Sequence, residues 1–206
     1  MNTSANIGND GDTALAANAL CQKCGICCDG SLFSSVTVYK HKIKKLEKAG
    51  VKVYGRTRGS FQFDQPGSCF EGGTCSIYAA RPEKCRSSFC ILQRKVMNGS
   101  VSFSDGSKLV IAVKTHAAWL TGRASQMSKK EEKNFQLRDF LVNYYKRDLE
   151  RNFKGGTLAR PPAKLSASDK EFIGRACEYL KLMERFFLET SLLEKYGALI
   201  QSFRED

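Results

Sequence analysis

Cys21-Gln22-Lys23-Cys24-Gly25-Ile26-Cys27-Cys28 sets four thiols within eight residues, and the rest of the chain is best read outward from it. Two residues between cysteines let the backbone curl around one metal with its amides turned toward the sulfurs, and Gly25 tolerates the positive φ that such a turn demands. Cys27 and Cys28 pose a different problem because they are adjacent. Neighbouring side chains point to opposite faces of an extended segment, or about 100° apart on a helix, so two adjacent sulfurs rarely serve one metal. The pair is expected to divide. One cysteine completes a site with Cys21 and Cys24, and the other joins a site built mainly from cysteines farther along.

Those lie in a second run from Gly67 to Cys90, which carries Cys69, Cys75, Cys85 and Cys90 among glycines, Tyr78 and Arg81-Pro82. Eight thiols can close two four-ligand sites, and only Cys177 falls outside. Crowded cysteines in a secreted chain would suggest disulfides. The opening MNTSANIGNDGDTALAANAL, however, has neither a basic segment nor an apolar stretch of export length, so a cytoplasmic setting is expected. In a reducing compartment the thiols read as metal ligands or redox groups. No apolar run approaches membrane-spanning length, so no membrane span is expected.

The pattern CxxCGxCC at 21–28, C-x5-CSIY at 69–78 and RPxxCRxxxC at 81–90 resembles the YkgJ-type cysteine-cluster family of zinc- or iron-chelating domains. The likeness covers roughly residues 20–91. It implies metal binding and names no settled reaction. The residues themselves suit both metals. Three cysteines spaced two apart with a distant fourth resemble half of a bacterial ferredoxin run and favour an iron–sulfur cluster, whereas Cys85-x4-Cys90 has the spacing of a zinc knuckle. The balance leans slightly to iron.

The formal charge is +12, and eight thiolates on two Zn²⁺ ions or two [4Fe-4S]²⁺ clusters would lower it by four to +8. A basic surface of that size suits an acidic partner, whether an unidentified protein or a nucleic acid. The best nucleic-acid strip is Lys40, Lys42, Lys44, Lys45, Lys48, Lys52, Arg56 and Arg58, interleaved with Tyr39, Tyr54, Phe61 and Phe63. Cations would neutralise phosphates and aromatics would stack bases. The plainer reading, a solvated helix followed by strand residues packed inward, is the favoured one. A zinc-stabilised nucleic-acid-binding module is therefore the alternative function, behind a metal-binding protein with a redox or protein-modifying role. No Walker A loop, GxGxxG, GxSxG or HExxH occurs, so no motif identifies an enzyme.

Other candidates have ordinary explanations. His41 sits among lysines, His116 follows the apolar run KLVIAV, and Cys177 falls on the apolar stripe of a helix, where a thiol is a small hydrophobe. Tyr78 and Arg81 either order the surroundings of the sulfurs or merely pack and fix a turn.

The pattern predicts a mainly helical α+β protein. Residues 1–19 read as a flexible leader, 20–91 as a loop-rich, metal-stabilised cysteine-cluster core, and 92–206 as a mainly helical region packed on it. Val36 to Gly50 reads as a short basic helix closed by glycine, with brief strands at Val51–Tyr54 and Ser60–Phe63. ILQRKVMNG after Cys90 reads as a helical turn. Asp105-Gly106 between VSFS and KLVIAV predicts a hairpin. Two carboxyl-terminal helices open at capping boxes, Ser128 to Glu131 and Ser168 to Glu171, with the linker GGTLARPPAKLSAS between them.

Overall fold

The computed structural model describes residues 10–56, 59–127, 137–144, 153–154, 157–158 and 166–188. It is a mainly helical α+β protein with two cores. The larger is helical. Helix α1 (Asp10–Cys24) buries Ala17 and Leu20 and packs against α4 (Ile91–Met97) and α5 (Phe103–Met127). Helix α7 (Ala167–Phe186) lies along α5, and α6 (Leu137–Tyr144) adds Leu137 and Leu141. The leader expected over residues 1–19 is thus helical from Asp10 onward. The stretch DGDTALAANAL looks featureless because alanines supply much of its buried face and give little periodic contrast, yet small residues are what let α1 lie close to its neighbours.

The hairpin expected at Asp105-Gly106 does not form either, because both residues lie in the first turns of α5. Ser102 Oγ accepts from Asp105 N at 3.0 Å and donates to the Asp105 carboxylate at 2.8 Å, so the pair caps a helix start. Behind it Val110, Val113, Leu120 and Ala124 recur on one buried face, and this long helical period outweighs a two-residue turn signal. Gly106 has a packing reason of its own. A Cβ there would meet Leu20 Cδ2 at 3.0 Å and Val96 Cγ2 at 3.3 Å, so the missing side chain admits α1 and α4 against α5. His116 accordingly lies on a helix and not after a strand.

The smaller core is a three-stranded antiparallel sheet, order β1-β3-β2, from β1 (Ser35–Val38), β2 (Tyr54–Gly55) and β3 (Phe61–Asp64). Val36 pairs with Phe63 and Val38 with Phe61. The segment Val36–Val38 is therefore strand where a helix was expected, since alternating β-branched residues bury Val36 and Val38 and expose Thr37. The basic helix begins only at a 3₁₀ turn, Lys40–Lys42, and continues as α2 (Ile43–Lys48). Gly50, at φ +79°, closes it, with Val51 N donating to Leu46 O at 3.0 Å. Leu46, Val51, Phe63 and Cys69 complete this core.

Two short hairpins remain. Strands β4 (Phe70–Glu71) and β5 (Thr74–Cys75) turn at Gly72-Gly73, and β6 (Phe153–Lys154), just before the expected linker, pairs with β7 (Thr157–Leu158) at its start. The capping box of α7 is Ser166 with Asp169, two residues before the expected one. Ser168 instead accepts a hydrogen bond from Arg123 on α5. The Ser128 to Glu131 box and Arg58 lie outside the described residues.

Candidate metal centre

Eight cysteines reach one cavity of about 170 Å³ from six local structures. Cys21 and Cys24 end α1. Gly25 then takes φ +71° and turns the chain, with Cys28 N and Asp29 N both donating to Gly25 O at 2.7 and 2.9 Å. That tight turn aims Cys27 and Cys28 differently. Cys69 precedes β4 and Cys75 ends β5, held together by Ser76 N donating to Cys69 O at 2.8 Å. Cys85 lies on α3 (Glu83–Ser87), started by Pro82. Cys90 is the N-cap of α4, its sulfur accepting from Gln93 N at 3.3 Å. The two halves of the cluster touch at Gly25, where a Cβ would stand 2.8 Å from the Phe70 ring and 3.0 Å from Gly73 O.

The thiols sort into two sets. Cys24, Cys27 and Cys90 pack against the helical core, whereas Cys69, Cys75 and Cys85 belong to the sheet core. Mutual electrostatics divide them largely the same way, although Cys21 also acts on Cys85 and Cys27 on Cys28. Burial, then the charges of Cys90 and Cys21, push Cys24 up to about 12, although the Ile26 amide offsets part of this. Cys27 is also driven well up, first by burial and then by Cys90, Cys24 and Cys21. In the other set Cys28 and Cys69 each hydrogen-bond to Cys75, which raises both donors and holds Cys75 well below an ordinary thiol. Burial and then Cys75 raise Cys85 to about 11. Cys27 therefore neighbours Cys21, Cys24 and Cys90, and Cys28 neighbours Cys75 and Cys85, with Cys69 reached through Cys75. Cys85 and Cys90, which a knuckle spacing would join, fall in different sets.

Residues 20–101 match the CxxCxxCC family model, described as a "putative zinc- or iron-chelating domain". This segment is similar to CxxCxxCC domains. No curated protein and no solved structure matches the chain. The similarity runs past Cys90 to Val101 and so includes helix α4, whose N-cap is the last of the matched cysteines.

The donor set fits zinc or iron. Every cysteine is a free thiol, eight of them line one cavity, and backbone amides of Ile26, Ile77 and Gln93 point at Cys24, Cys75 and Cys90, where they stabilise thiolate charge. The sulfurs are gathered without being drawn tight, since no three ligating side chains among the described residues converge closely enough to grip an ion. Metal bonds of about 2.3 Å would draw the sulfurs in, releasing the protons of those thiols that are still neutral.

Other candidates fall outside the cavity. His41 stacks on exposed Tyr39, and Cys177 is buried in the helical core beside Phe172 and Leu180. His116 is half-buried on α5, its Nδ1 enclosed without a hydrogen-bond partner. Tyr78 and Arg81 line the cavity, with Arg81 Cζ 3.8 Å above the Tyr78 ring. Sequence reading passed over the contact of Gly25 with Phe70. Its only trace was glycine within CxxCGxCC. Among the described residues no helix is long and apolar enough to cross a membrane.

Proposed function

We propose that the protein is a two-centre metalloprotein. Cys21, Cys24, Cys27 and Cys90 hold an iron–sulfur cluster that exchanges electrons with a partner protein, and Cys28, Cys69, Cys75 and Cys85 hold a closed zinc site that staples the sheet core. The observation that carries this reading is the unlike state of the two sets. In the sheet set, three thiols already hydrogen-bond to one another through Cys75, near the mutual contact that a tetrahedral zinc requires. The helical set interacts only through charge across the cavity. A cluster interposes its own iron and sulfide between thiolates, so that spacing suits it, as does the x2, x2 spacing with a distant fourth. When bound, a cluster supplies one-electron redox chemistry. Cys21, Cys24, Cys27 and Cys90 are half-buried and line an accessible cavity, and the basic charge suits a partner with an acidic face.

Anaerobic purification with metal analysis and absorption spectroscopy tests the assignment. Iron and sulfide in equal amounts, one zinc per chain and a visible band bleached by reductant are expected. A colourless protein with two zinc ions would overturn the iron assignment, and iron in both sites would overturn the zinc one.

A second reading has its own observation. Tyr39 is 56% exposed and stacks on His41 at 6.0 Å between ring centroids, and Tyr54 is exposed as well, whereas Phe63 turns into the sheet core. Around them Lys40, Lys42, Lys44, Lys45, Lys48 and Lys52 form no ion pair among the described residues. Unpaired cations beside upright aromatics fit a single-stranded nucleic acid. Binding of labelled single-stranded RNA that falls steeply with salt, and is lost in a Lys40→Glu, Lys44→Glu, Lys45→Glu variant, would support it. Equal affinity for a charge-matched polyanion would remove it.

A further inference from the structure

We propose that Arg81 is a positioning residue shared by the two centres, its guanidinium lying between the thiol sets and holding the charge of both. The inference rests on the two-centre reading and adds to it the group that couples the sites. Each centre, four thiolates around a dipositive ion or cluster, carries two net negative charges, and the two face one cavity. Their repulsion needs a counter-charge.

Arg81 supplies it from a fixed position. The Tyr78–Ala80 3₁₀ turn delivers the residue and Pro82 follows it, so the backbone has little freedom on either side. The guanidinium carbon sits over Tyr78, 3.8 Å from the ring centroid, and Tyr78 is in turn held by its hydroxyl donating to Asn18 O on α1 at 3.1 Å. From that platform Arg81 Nη1 points at Cys21 Sγ, 3.9 Å away, in the helical set. Toward the sheet set, Arg81 lines the same cavity as Cys75 and Cys85. Arg81 has no carboxylate partner among the described residues, and its Nε is enclosed with no acceptor. A guanidinium with unfilled donors, stacked rigidly and aimed at sulfurs, is suited to anions that the thiols become on binding metal. Lys84 lines the same cavity but is exposed, so water screens it.

The test compares the anaerobically purified full chain with Arg81→Gln, Arg81→Lys and Lys84→Gln. It follows metal release to a chelator and the alkylation of each cysteine by mass spectrometry. Arg81→Gln should release metal from both centres about tenfold or more faster, the usual size for a group supporting metal ligands. It should also shift the cluster's reduction potential to a more negative value, because adding an electron beside a lost positive charge is harder. Arg81→Lys should restore part of both effects, and Lys84→Gln should match the wild type. If Arg81→Gln does not fold, the Tyr78 pair decides the matter. Tyr78→Phe keeps the ring but gives up the hydroxyl's hold on Asn18, so it should loosen both centres slightly, while Tyr78→Leu, which removes the platform, should loosen both by a larger factor that is still below that of Arg81→Gln. Effects confined to one thiol set, or none in either, would overturn the shared role. A wild-type chain holding only one four-thiolate centre would overturn the two-centre reading itself.

Discussion

The helical core and the sheet core solve the same problem with unequal means. Among the described residues the first buries twenty side chains in one cluster, from Ala17 on α1 to Phe187 at the end of α7. The second buries six, one of them Cys69. At about 1.5–3 kcal/mol per buried large side chain, the helical half has enough apolar burial to order its chain, and the sheet half does not. Residues 51–90 contain Gly55, Gly59, Gly67, Gly72 and Gly73 and only short strands, so something other than packing must hold them. The difference suggests a division of labour: one set of thiols decorates a core that would stand without metal, and the other set substitutes for a core.

Chelation should therefore separate the two regions by the largest effect of all. Exhaustively demetallated protein is expected to lose hydrogen-exchange protection across residues 60–90 while α5 and α7 keep most of theirs, because metal free energy is folding free energy only where packing is thin. Full protection of residues 60–90 without metal would show that the sheet core is self-sufficient and erase the contrast.

Cys27 and Cys28 sharpen it. Cys27→Ser should free Cys21, Cys24 and Cys90 for alkylation and spare the sheet set, and Cys28→Ser should do the reverse, freeing Cys69, Cys75 and Cys85. Each variant loses part of the metal. Identical alkylation patterns, or full metal in either variant, would mean that the sets are not distinct.

Gly25 joins the two regions, and its expected effect is the next in size. An alanine there meets a positive φ, the Phe70 ring and Gly73 O together, at a combined cost of about 2–4 kcal/mol. Denaturation of the metal-bound chain measures it. A Gly25→Ala protein as stable as the wild type would show that the turn and the β4-β5 hairpin are not in firm contact.

How much of this the sequence disclosed depended on the kind of signal. Cysteine spacing is chemistry written in single residues, so the gathering of the eight cysteines at one cavity could be inferred from the spacing alone. The partner of each thiol could not. Cys90 joins the first set only because Ile91–Met97 forms a helix that packs beside α1, a tertiary relation with no local trace. The basic helix was legible in its closing Gly50, but its start was not, since Val36 to Val38 obey a period of two while the lysines after them suggest a helix. The Asp105-Gly106 signal failed because a turn dipeptide is short-range information, and Ser102 four residues before Gly106 had already committed the chain to a helix. Helix α1 was missed for the opposite reason: its buried face is mostly alanine, which contrasts little with its surroundings.

The smallest expected effect belongs to Cys177, the cysteine outside both sets. It is buried on α7 within the helical core, so Cys177→Ala should leave metal content unchanged and cost about 1 kcal/mol near neutral pH. Burial, offset in part by Lys181, raises its thiol to about 11. The unfolded value is about 8.5, so the folded state favours the neutral thiol. The stability that this contributes is complete below the unfolded value and is lost as pH rises toward 11. The gap between wild type and Cys177→Ala in denaturant unfolding should accordingly narrow from pH 8.5 upward, with the metal-bound thiolates contributing equally to both proteins. A gap that widens with pH would mean that Cys177 is ionised in the fold, and loss of a metal equivalent would place it among the ligands and break the division between the two cores.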